Sequence, residues 1–277
     1  MGALRVFVIA GEPSGDALGG ALMAGLRTLS PEVAFDGVGG PLMQAEGLTS
    51  RFEMSELSVM GIAEVLPKYR HLKRRIREMT TAVVATRPDV LITIDAPDFS
   101  FRVARQVKAQ SDVRTVHYVA PTVWAWRPGR ARKMARFIDQ VLALFPFEPP
   151  YMEAEGIECD FVGHPAATVP QATDAERAAF RLAHGLAEAE PLVLVLPGSR
   201  RGEVARMGPV FGAALGRLQA AHPTMRMVVP AAPAVAEAVV QEVATWPVSP
   251  LVLDPRGTPL DEALAEKRVA FGAADVA

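Results

Sequence analysis

The stretch Leu4-Arg-Val-Phe-Val-Ile-Ala10 runs directly into Gly11-Glu-Pro-Ser-Gly-Asp16 and then into a helical pattern over Ala17–Leu29. The first run is almost continuously apolar and rich in β-branched residues, which is typical of a strand buried on both faces of a parallel sheet. In such sheets, ligands bind at the carboxyl ends of the strands. This unit therefore predicts an α/β fold whose first loop lies where a ligand would bind.

The same alternation of strand and helix repeats along the chain. Further strands are predicted at Val33–Val38, Val90–Ile94, Thr115–Val119, Gln140–Leu144, Leu192–Leu196, Met225–Val229 and Leu251–Leu253. Helical patterns between them favour parallel sheets with right-handed crossovers. The segment His164–Thr173 has little periodicity, and a second strand–helix series follows it. We predict two doubly wound, Rossmann-like domains, residues 1–165 and 166–277, with a ligand cleft between them.

Composition excludes several classes of protein. Of the 277 residues, 50% are hydrophobic and 22% are charged, with a net charge of −2. This is not the composition of a disordered chain, and it gives no global reason for nucleic-acid binding. The single cysteine, Cys159, excludes an intrachain disulfide and a cysteine-rich zinc site. The apolar runs are strand-length and no signal-peptide pattern is visible, so we expect a cytoplasmic protein, with membrane-surface contact left open.

Two acidic loops follow predicted strands. In Gly11–Asp16, Glu12, Ser14 and Asp16 suit a hydroxyl-rich ligand better than a phosphate, and the spacing fits neither a dinucleotide-binding nor a Walker loop. The alternative is a tight turn in which Ser14 or Asp16 caps the helix. In Ile94-Asp-Ala-Pro-Asp-Phe99, Asp95 is a candidate general base. The alternative there is that Asp95 or Asp98 caps the next helix.

Two further loops contain arginine beside other groups that could bind a ligand. In Tyr118–Arg130, Trp124 could stack on a sugar and Arg127 could bind a phosphate, although both tryptophans of this loop could instead pack in the core. In Leu196-Pro-Gly-Ser-Arg-Arg-Gly-Glu-Val204, the residues Gly198, Ser199 and Arg200 precede a helix. A helix N-terminus beside an arginine favours a pyrophosphate site, against the alternative of an ordinary connection with an exposed arginine.

The segment Met60–Val84 carries an apolar stripe at helical spacing beside a basic face. Such a helix can lie on anionic lipid, but more commonly it covers a sheet and exposes its basic face to water. The predicted membrane contacts are Met60, Ile62, Leu66, Arg74, Arg75 and Arg77.

In this order, the segments resemble lipid-A-disaccharide synthases, bacterial glycosyltransferases with the GT-B fold. The matching strings are Gly11–Asp16, Val59–Leu66, Ile94–Phe99, His117–Arg127, Gly163-His-Pro165 and Leu196–Arg200. Each string alone is weak, but together they extend over the whole chain.

The resemblance implies a reaction. The family joins UDP-2,3-diacylglucosamine to 2,3-diacylglucosamine 1-phosphate (lipid X), giving the β-1,6 disaccharide precursor of lipid A and UDP, with no metal or organic cofactor. It implies that Asp95 is the base and Arg200 part of the leaving-group site. It also implies that residues 1–165 meet the acceptor and residues 166–277 hold the donor. Members work at the cytoplasmic face of the inner membrane, which implies an anionic membrane surface as a partner and no nucleic acid.

One departure concerns the end of the chain. The family continues after the equivalent of Ala277 with segments that complete the UDP pocket, and Phe271–Ala277 reads as the end of a strand. We therefore expect a truncated second domain. Two alternatives stay open: an enzyme similar to UDP-N-acetylglucosamine 2-epimerase, which shares the architecture, and a non-catalytic basic protein that binds membrane or RNA.

Overall fold

The computed structural model describes residues 3–57 and 62–277, and for residues 62–69 it describes the backbone alone. The chain divides into two compact units, unit 1 (Met1–Thr168) and unit 2 (Val169–Ala277). This division lies close to the 165/166 boundary expected from the sequence. The assignment of one unit to the acceptor and the other to the donor stays a prediction.

Unit 1 is built on a parallel sheet. Within the described residues the sheet has six strands in the order β2-β1-β3-β4-β5-β6. The strands are β1 (Arg5–Ala10), β2 (Ala34–Val38), β3 (Val90–Ile94), β4 (Arg114–Tyr118), β5 (Gln140–Ala143) and β6 (Glu158–Phe161). The sequence did not predict β6, because Glu158-Cys-Asp-Phe161 lacks the apolar run of its neighbours. An edge strand pairs on one side only, and its side chains remain mostly exposed.

Helices connect these strands. They are α1 (Pro13–Leu29), α2 (Pro41–Ala45), α3 (Ile62–Thr86), α4 (Pro97–Lys108), α5 (Gly129–Met134) and α6 (Pro149–Glu153). The predicted loop Gly11–Asp16 is shorter than expected, since α1 begins at Pro13 rather than Ala17. Proline is favoured in a first helical turn because its fixed φ fits the helix and its missing N–H needs no partner.

Four neighbouring strands of unit 1 end at the same level. Ala10 pairs with Ile94, Ile94 with Tyr118, and Tyr118 with Leu142. Phe7 and Ile94 are fully buried, as strands covered on both faces require. The loops that follow β1, β3, β4 and β5 therefore emerge side by side along the carboxyl edge of the sheet.

Unit 2 repeats the parallel arrangement on a smaller scale. In the described residues its sheet has the order β7-β8-β9, from β7 (Leu192–Leu194), β8 (Arg226–Pro230) and β9 (Leu251–Leu253). Its helices are α7 (Asp174–Ala183), α8 (Arg201–Ala221), α9 (Ala236–Val243) and α10 (Leu260–Ala273). The predicted α/β class with parallel sheets is confirmed. The strand expected over Phe271–Ala277 is wrong, because α10 continues to Ala273 and only Val276 bridges to Val193 of β7.

One histidine is enclosed in the core of unit 1. His117 on β4 is 1% exposed, and its Nδ1 lies 2.8 Å from the Thr93 hydroxyl of β3. The ring packs edge-on against Phe101 of α4, with centroids 4.6 Å apart. Burial, assisted by the charge of Arg130, lowers the pKa of His117 from 6.5 to about 3. The histidine is therefore neutral in the folded protein throughout the physiological range.

We predict that His117 makes the fold acid-sensitive. Because its pKa is lower in the folded than in the unfolded state, its contribution to stability is complete above pH 6.5 and is lost as the pH falls towards 3. Between pH 7.5 and 5 the free energy of unfolding should fall by about 2 kcal/mol more in the parent than in His117→Gln. Urea denaturation at both pH values measures this difference. The exposed residue His222 supplies the matched control, since His222→Gln makes the same substitution at the surface. Equal pH dependence of His117→Gln and the parent would refute the assignment.

Candidate functional site

The carboxyl edge of unit 1 brings two predicted loops into contact. Gly11 follows β1, and Asp95-Ala96 follow β3, the next strand in the sheet. A Cβ added at Gly11 would lie 2.9 Å from the Cβ of Ala96, closer than real Cβ atoms approach one another. Glycine is therefore required at position 11, because the loop after β1 passes directly over the loop after β3.

Asp95 is held in an unusual backbone conformation. Asp95 and Ala96 have φ values of 48° and 43°, and Val119, which directly follows β4, has a φ of 85°. Left-handed conformations cost non-glycine residues of the order of 1–3 kcal/mol each and concentrate at functional sites. The Asp95 N–H donates to the Tyr118 carbonyl at 3.0 Å, and the Ser100 hydroxyl donates to the Asp95 carbonyl at 2.8 Å. The backbone bend is thus fixed from both sides.

The helix-capping alternative for the second acidic loop is not supported. The N-cap position of α4 is Ala96, with no side-chain cap hydrogen bond, and Asp98 lies in the first turn. The side chain of Asp95 is half-buried at the end of β3. Asp95 as a general base therefore stays a prediction.

Asp16 has a structural role in unit 1. It is 3% exposed, and its carboxylate accepts hydrogen bonds from three backbone N–H groups at the start of α2: Gly40 at 2.8 Å, Leu42 at 3.0 Å and Met43 at 3.0 Å. A carboxylate at a helix N-terminus satisfies donors that otherwise lack partners. The Asp16 oxygens thus have partners inside the fold, and the expected contact of Asp16 with substrate stays a prediction.

Glu12 and Ser14 remain at the edge of the sheet. Glu12 occupies the N-cap position of α1, with no side-chain cap hydrogen bond, so neither Ser14 nor Asp16 caps this helix. Glu12 is half-buried, and Ser14 is exposed in the first turn. Both therefore stay candidates for substrate contact.

The loop after β4 carries exposed aromatic rings. Trp124 is 46% and Trp126 is 61% exposed, so the core-packing alternative is wrong for both. The Arg127 guanidinium lies over the Trp126 ring, 5.1 Å from its centroid. Trp124 meets Phe147 edge-on, with centroids 5.3 Å apart. The sequence analysis missed Phe147, and the signal that could have found it is an apolar run, Val141–Phe147, that continues past the strand.

In unit 2, the predicted pyrophosphate site already holds a carboxylate. The Glu203 carboxylate of α8 accepts hydrogen bonds from the backbone N–H groups of Ser199 (3.0 Å) and Arg200 (3.2 Å), and from the Arg200 guanidinium (2.9 Å). Gly198 has a φ of 127°, and a Cβ there would lie 2.5 Å from the Cβ of Glu203. The Arg200 hydrogen bond, with the Ser199 N–H, lowers the pKa of Glu203. The loop therefore binds an anion. The spacing of the motif did not indicate that this anion is a side chain of the protein itself.

The basic face of α3 is partly used within the fold. Arg75 forms ion pairs with Glu56 and Glu78, both at 2.7 Å, and lies over the ring of Phe52. Its charge is thus neutralised by neighbours within the fold, and its expected membrane contact stays a prediction. Arg74 and Arg77 are exposed, and Arg74 lies 3.5 Å from Glu78. Met60 lies outside the described residues, as do the side chains of Ile62 and Leu66.

Comparison of the sequence with known proteins identifies relatives. Residues 6–254 match the family model of lipid-A-disaccharide synthetase. The lipid-A-disaccharide synthase of Ruegeria pomeroyi is 67% identical over 274 residues, which cover 99% of this chain and 68% of that protein. That of Rhodospirillum centenum is 51% identical over 253 residues, covering 90% of this chain and 63% of that protein. The chain thus spans about two thirds of the length of these relatives.

Solved structures with a similar fold are more distant in sequence. The UDP-GlcNAc 2-epimerase of Neisseria meningitidis, bound to UDP-GlcNAc, has a TM-score of 0.60 at 12% identity, covering 99% of this chain and 76% of that one. A putative UDP-N-acetylglucosamine 2-epimerase from Listeria monocytogenes has a TM-score of 0.59 at 12% identity, covering 91% of this chain and 68% of that one. At this identity the likeness shows the fold alone.

The two parallel-sheet units and the sequence relatives together define a glycosyltransferase of the GT-B type. Within that class, the chain belongs to the lipid-A-disaccharide synthase family, whose members act in lipid A biosynthesis. The family resemblance drawn from the motifs is confirmed.

We predict that Asp16→Asn destabilises unit 1, because the Asp16 carboxylate accepts three backbone hydrogen bonds. Hydrogen bonds to a charged group contribute about 1.5–3 kcal/mol, so loss of the buried carboxylate should lower the free energy of unfolding by about 2–4 kcal/mol. Urea denaturation tests this, with the exposed Asp112→Asn as a charge-matched control. If Asp16→Asn unfolds like the parent but binds substrate poorly, then Asp16 belongs to the binding site after all.

Proposed function

We propose that the full-length protein transfers a 2,3-diacylglucosaminyl group from UDP to the 6-hydroxyl of 2,3-diacylglucosamine 1-phosphate. The acceptor oxygen attacks the anomeric carbon, the bond from that carbon to the UDP oxygen breaks, and UDP leaves with the electron pair. Attack opposite the leaving group inverts the anomeric centre and gives the β-1,6 disaccharide. The sugar-nucleotide and lipid substrates are those expected for the family.

The observation that carries this proposal is the position of Asp95. It lies at the carboxyl edge of the sheet between Gly11 and Val119, on a backbone bend that only surrounding hydrogen bonds can maintain. A general base must be held within hydrogen-bond reach of the proton that it removes. We assign Asp95 this role, with the 6-hydroxyl of the acceptor as its partner, and Glu12 and Ser14 as contacts to the sugar hydroxyls.

Arg200 and its loop supply positive charge for the departing UDP. The donors that now bind Glu203 are two backbone N–H groups and one guanidinium, a set that suits a phosphate equally well. We propose that the pyrophosphate replaces the Glu203 carboxylate on these donors. Gly198 allows the close approach, and Glu203 occupies the site until UDP arrives.

The two alternatives are separated by one assay. A synthase releases UDP only when the lipid acceptor is added, whereas an epimerase acts on UDP-sugar alone. A non-catalytic membrane-binding protein would do neither. The fold is compatible with an epimerase, but the sequence relatives favour the synthase.

We predict that Asp95→Asn in the full-length protein reduces transfer about 10²–10⁴-fold, because the amide cannot accept the acceptor's proton. Calorimetry should show UDP affinity near the parental value. Asp98→Asn, three residues along in the first turn of α4, is the matched control and should retain activity. Near-parental turnover of Asp95→Asn would eliminate it as the base.

We predict opposite effects at the two partners of the anion site. Arg200→Ala should weaken UDP binding roughly ten- to a hundredfold, since a charge-assisted hydrogen bond is lost. Glu203→Gln should tighten it, because the competing negative charge is removed. The neighbouring Arg201→Ala makes the same change in charge and should have little effect. Calorimetry with UDP measures all three, and an unchanged affinity in Arg200→Ala would place the diphosphate elsewhere.

We also propose that the protein associates peripherally with the anionic inner membrane through residues 59–77. None of the helices in the described ranges has the length and apolarity needed to cross a bilayer. Both substrates carry acyl chains, so the enzyme must meet them at the lipid surface. The contact would combine the apolar side chains of Met60, Ile62 and Leu66 with the exposed charges of Arg74 and Arg77.

Binding to anionic vesicles should therefore have two components. Each exposed cation contributes on the order of 1 kcal/mol and is screened by salt, whereas apolar insertion is not. Replacing Met60, Ile62 and Leu66 by serine should remove the salt-resistant fraction of co-sedimented protein. The double substitution Arg74→Gln and Arg77→Gln should remove the salt-sensitive fraction. Arg75→Gln should instead lower stability. If neither set alters co-sedimentation, the lipid-facing surface lies elsewhere.

A further inference from the structure

Three exposed aromatic rings form a continuous apolar surface at the carboxyl edge of unit 1. We call Trp124, Phe147 and Phe145 the aromatic ladder. Trp124 contacts Phe147 edge-on at 5.3 Å, and Phe147 stacks on Phe145 at 5.6 Å with an interplanar angle of 10°. Each ring is 46–47% exposed. Contiguous apolar surface of this kind marks a binding site more often than isolated exposed residues do.

The ladder is built into the fold. Phe145 and Phe147 follow β5, and the loop that carries them is closed by Glu148, which is 3% exposed. The Glu148 carboxylate accepts from the Phe145 N–H at 2.9 Å, and the Glu148 N–H donates to the Phe145 carbonyl at 3.2 Å. Burial raises the pKa of Glu148. Because this buried carboxylate is hydrogen-bonded to the backbone of the loop, it holds the two phenyl rings on the outer surface.

The position of the ladder relates it to Asp95. Asp95 follows β3, Trp124 lies in the loop after β4, and Phe145 follows β5; these strands are neighbours and end at the same level. Adjacent strands are about 4.8 Å apart, so the end of β5 lies roughly 10 Å from that of β3. A sugar with its hydroxyl at Asp95 would have its substituents within reach of the ladder.

Chemistry points to the occupant. The phenyl rings offer no hydrogen-bonding group, so the ladder suits hydrocarbon better than a sugar face. Cations follow Trp124 closely along the chain: Arg127, three residues on, lies over the Trp126 ring, and the run Arg127–Arg136 contains five basic residues and no acid. An apolar strip beside positive charge complements a molecule that joins an acyl chain to a phosphate.

We propose that the aromatic ladder binds an acyl chain of the phosphorylated lipid acceptor, with Arg127 beside its phosphate. This rests on the proposed function and adds to it Phe145 and Phe147 as residues that set acceptor specificity. Glu148 acts as a positioning residue for both rings.

The test uses full-length protein and acceptors that differ only in acyl-chain length. Burial of one methylene is equivalent to about a fourfold change in affinity, so Phe145→Ala with Phe147→Ala should raise KM for the long-chain acceptor about tenfold. KM for the short-chain acceptor should change by less than about twofold, and kcat should stay near the parental value. The control is Leu29→Ala, which removes an exposed apolar side chain, 85% exposed, at the opposite edge of the sheet.

A direct measurement supports the kinetics. Acceptor carrying brominated acyl chains should quench tryptophan fluorescence in the parent, and Trp124→Phe should remove most of that quenching. Equal KM changes for both chain lengths, or quenching that does not depend on Trp124, would overturn the proposal. Loss of binding to acceptor-free vesicles with no chain-length effect would overturn it too, by showing a membrane contact instead. If the parent transfers no sugar to any acceptor, the proposed function itself fails.

Discussion

The parallel register that sets Ala10, Ile94, Tyr118 and Leu142 side by side is the constraint on which unit 1 depends. Hydrogen bonding between strands fixes this level, and burial of Phe7 and Ile94 opposes slippage because a shift by one residue would move close-packed side chains out of the spaces that fit them. Loops separated by dozens of residues consequently leave the sheet together. Gly11, Asp95 and Val119 become neighbours for this reason alone.

Carboxylates in this protein are used in two ways. Asp16, Glu148 and Glu203 accept hydrogen bonds from backbone N–H groups and thereby shape the loops around them. Asp95 instead ends a strand at a bend of the backbone that its own side chain does not cap. Buried carboxylates with several donors stabilise a fold, and strained backbone concentrates at functional sites. The first group therefore has a structural role, whereas Asp95 is the residue for which we propose a catalytic one.

Fold and function are specified by different features of this chain. Two parallel α/β units also occur in UDP-N-acetylglucosamine 2-epimerases that share 12% of its residues, so the architecture by itself does not choose between transfer and epimerisation. The choice comes from the family model and from the sequence relatives, which are lipid-A-disaccharide synthases. Sequence similarity therefore carries more functional information here than the topology does.

The sequence by itself determined the α/β class, the main strands, and the loops that hold Asp95 and Arg200, because apolar runs and turn residues are local signals. It also predicted a helix over Met60–Val84 from its apolar spacing, and the described residues form α3 over Ile62–Thr86. Only the tertiary structure shows which side chains already have partners within the fold. Asp16 bonds to residues 24–27 positions away, Arg75 pairs with Glu56, and Phe147 meets Trp124. These partners are distant in sequence, and no local pattern predicts them, since they are fixed only when the sheet brings its loops together.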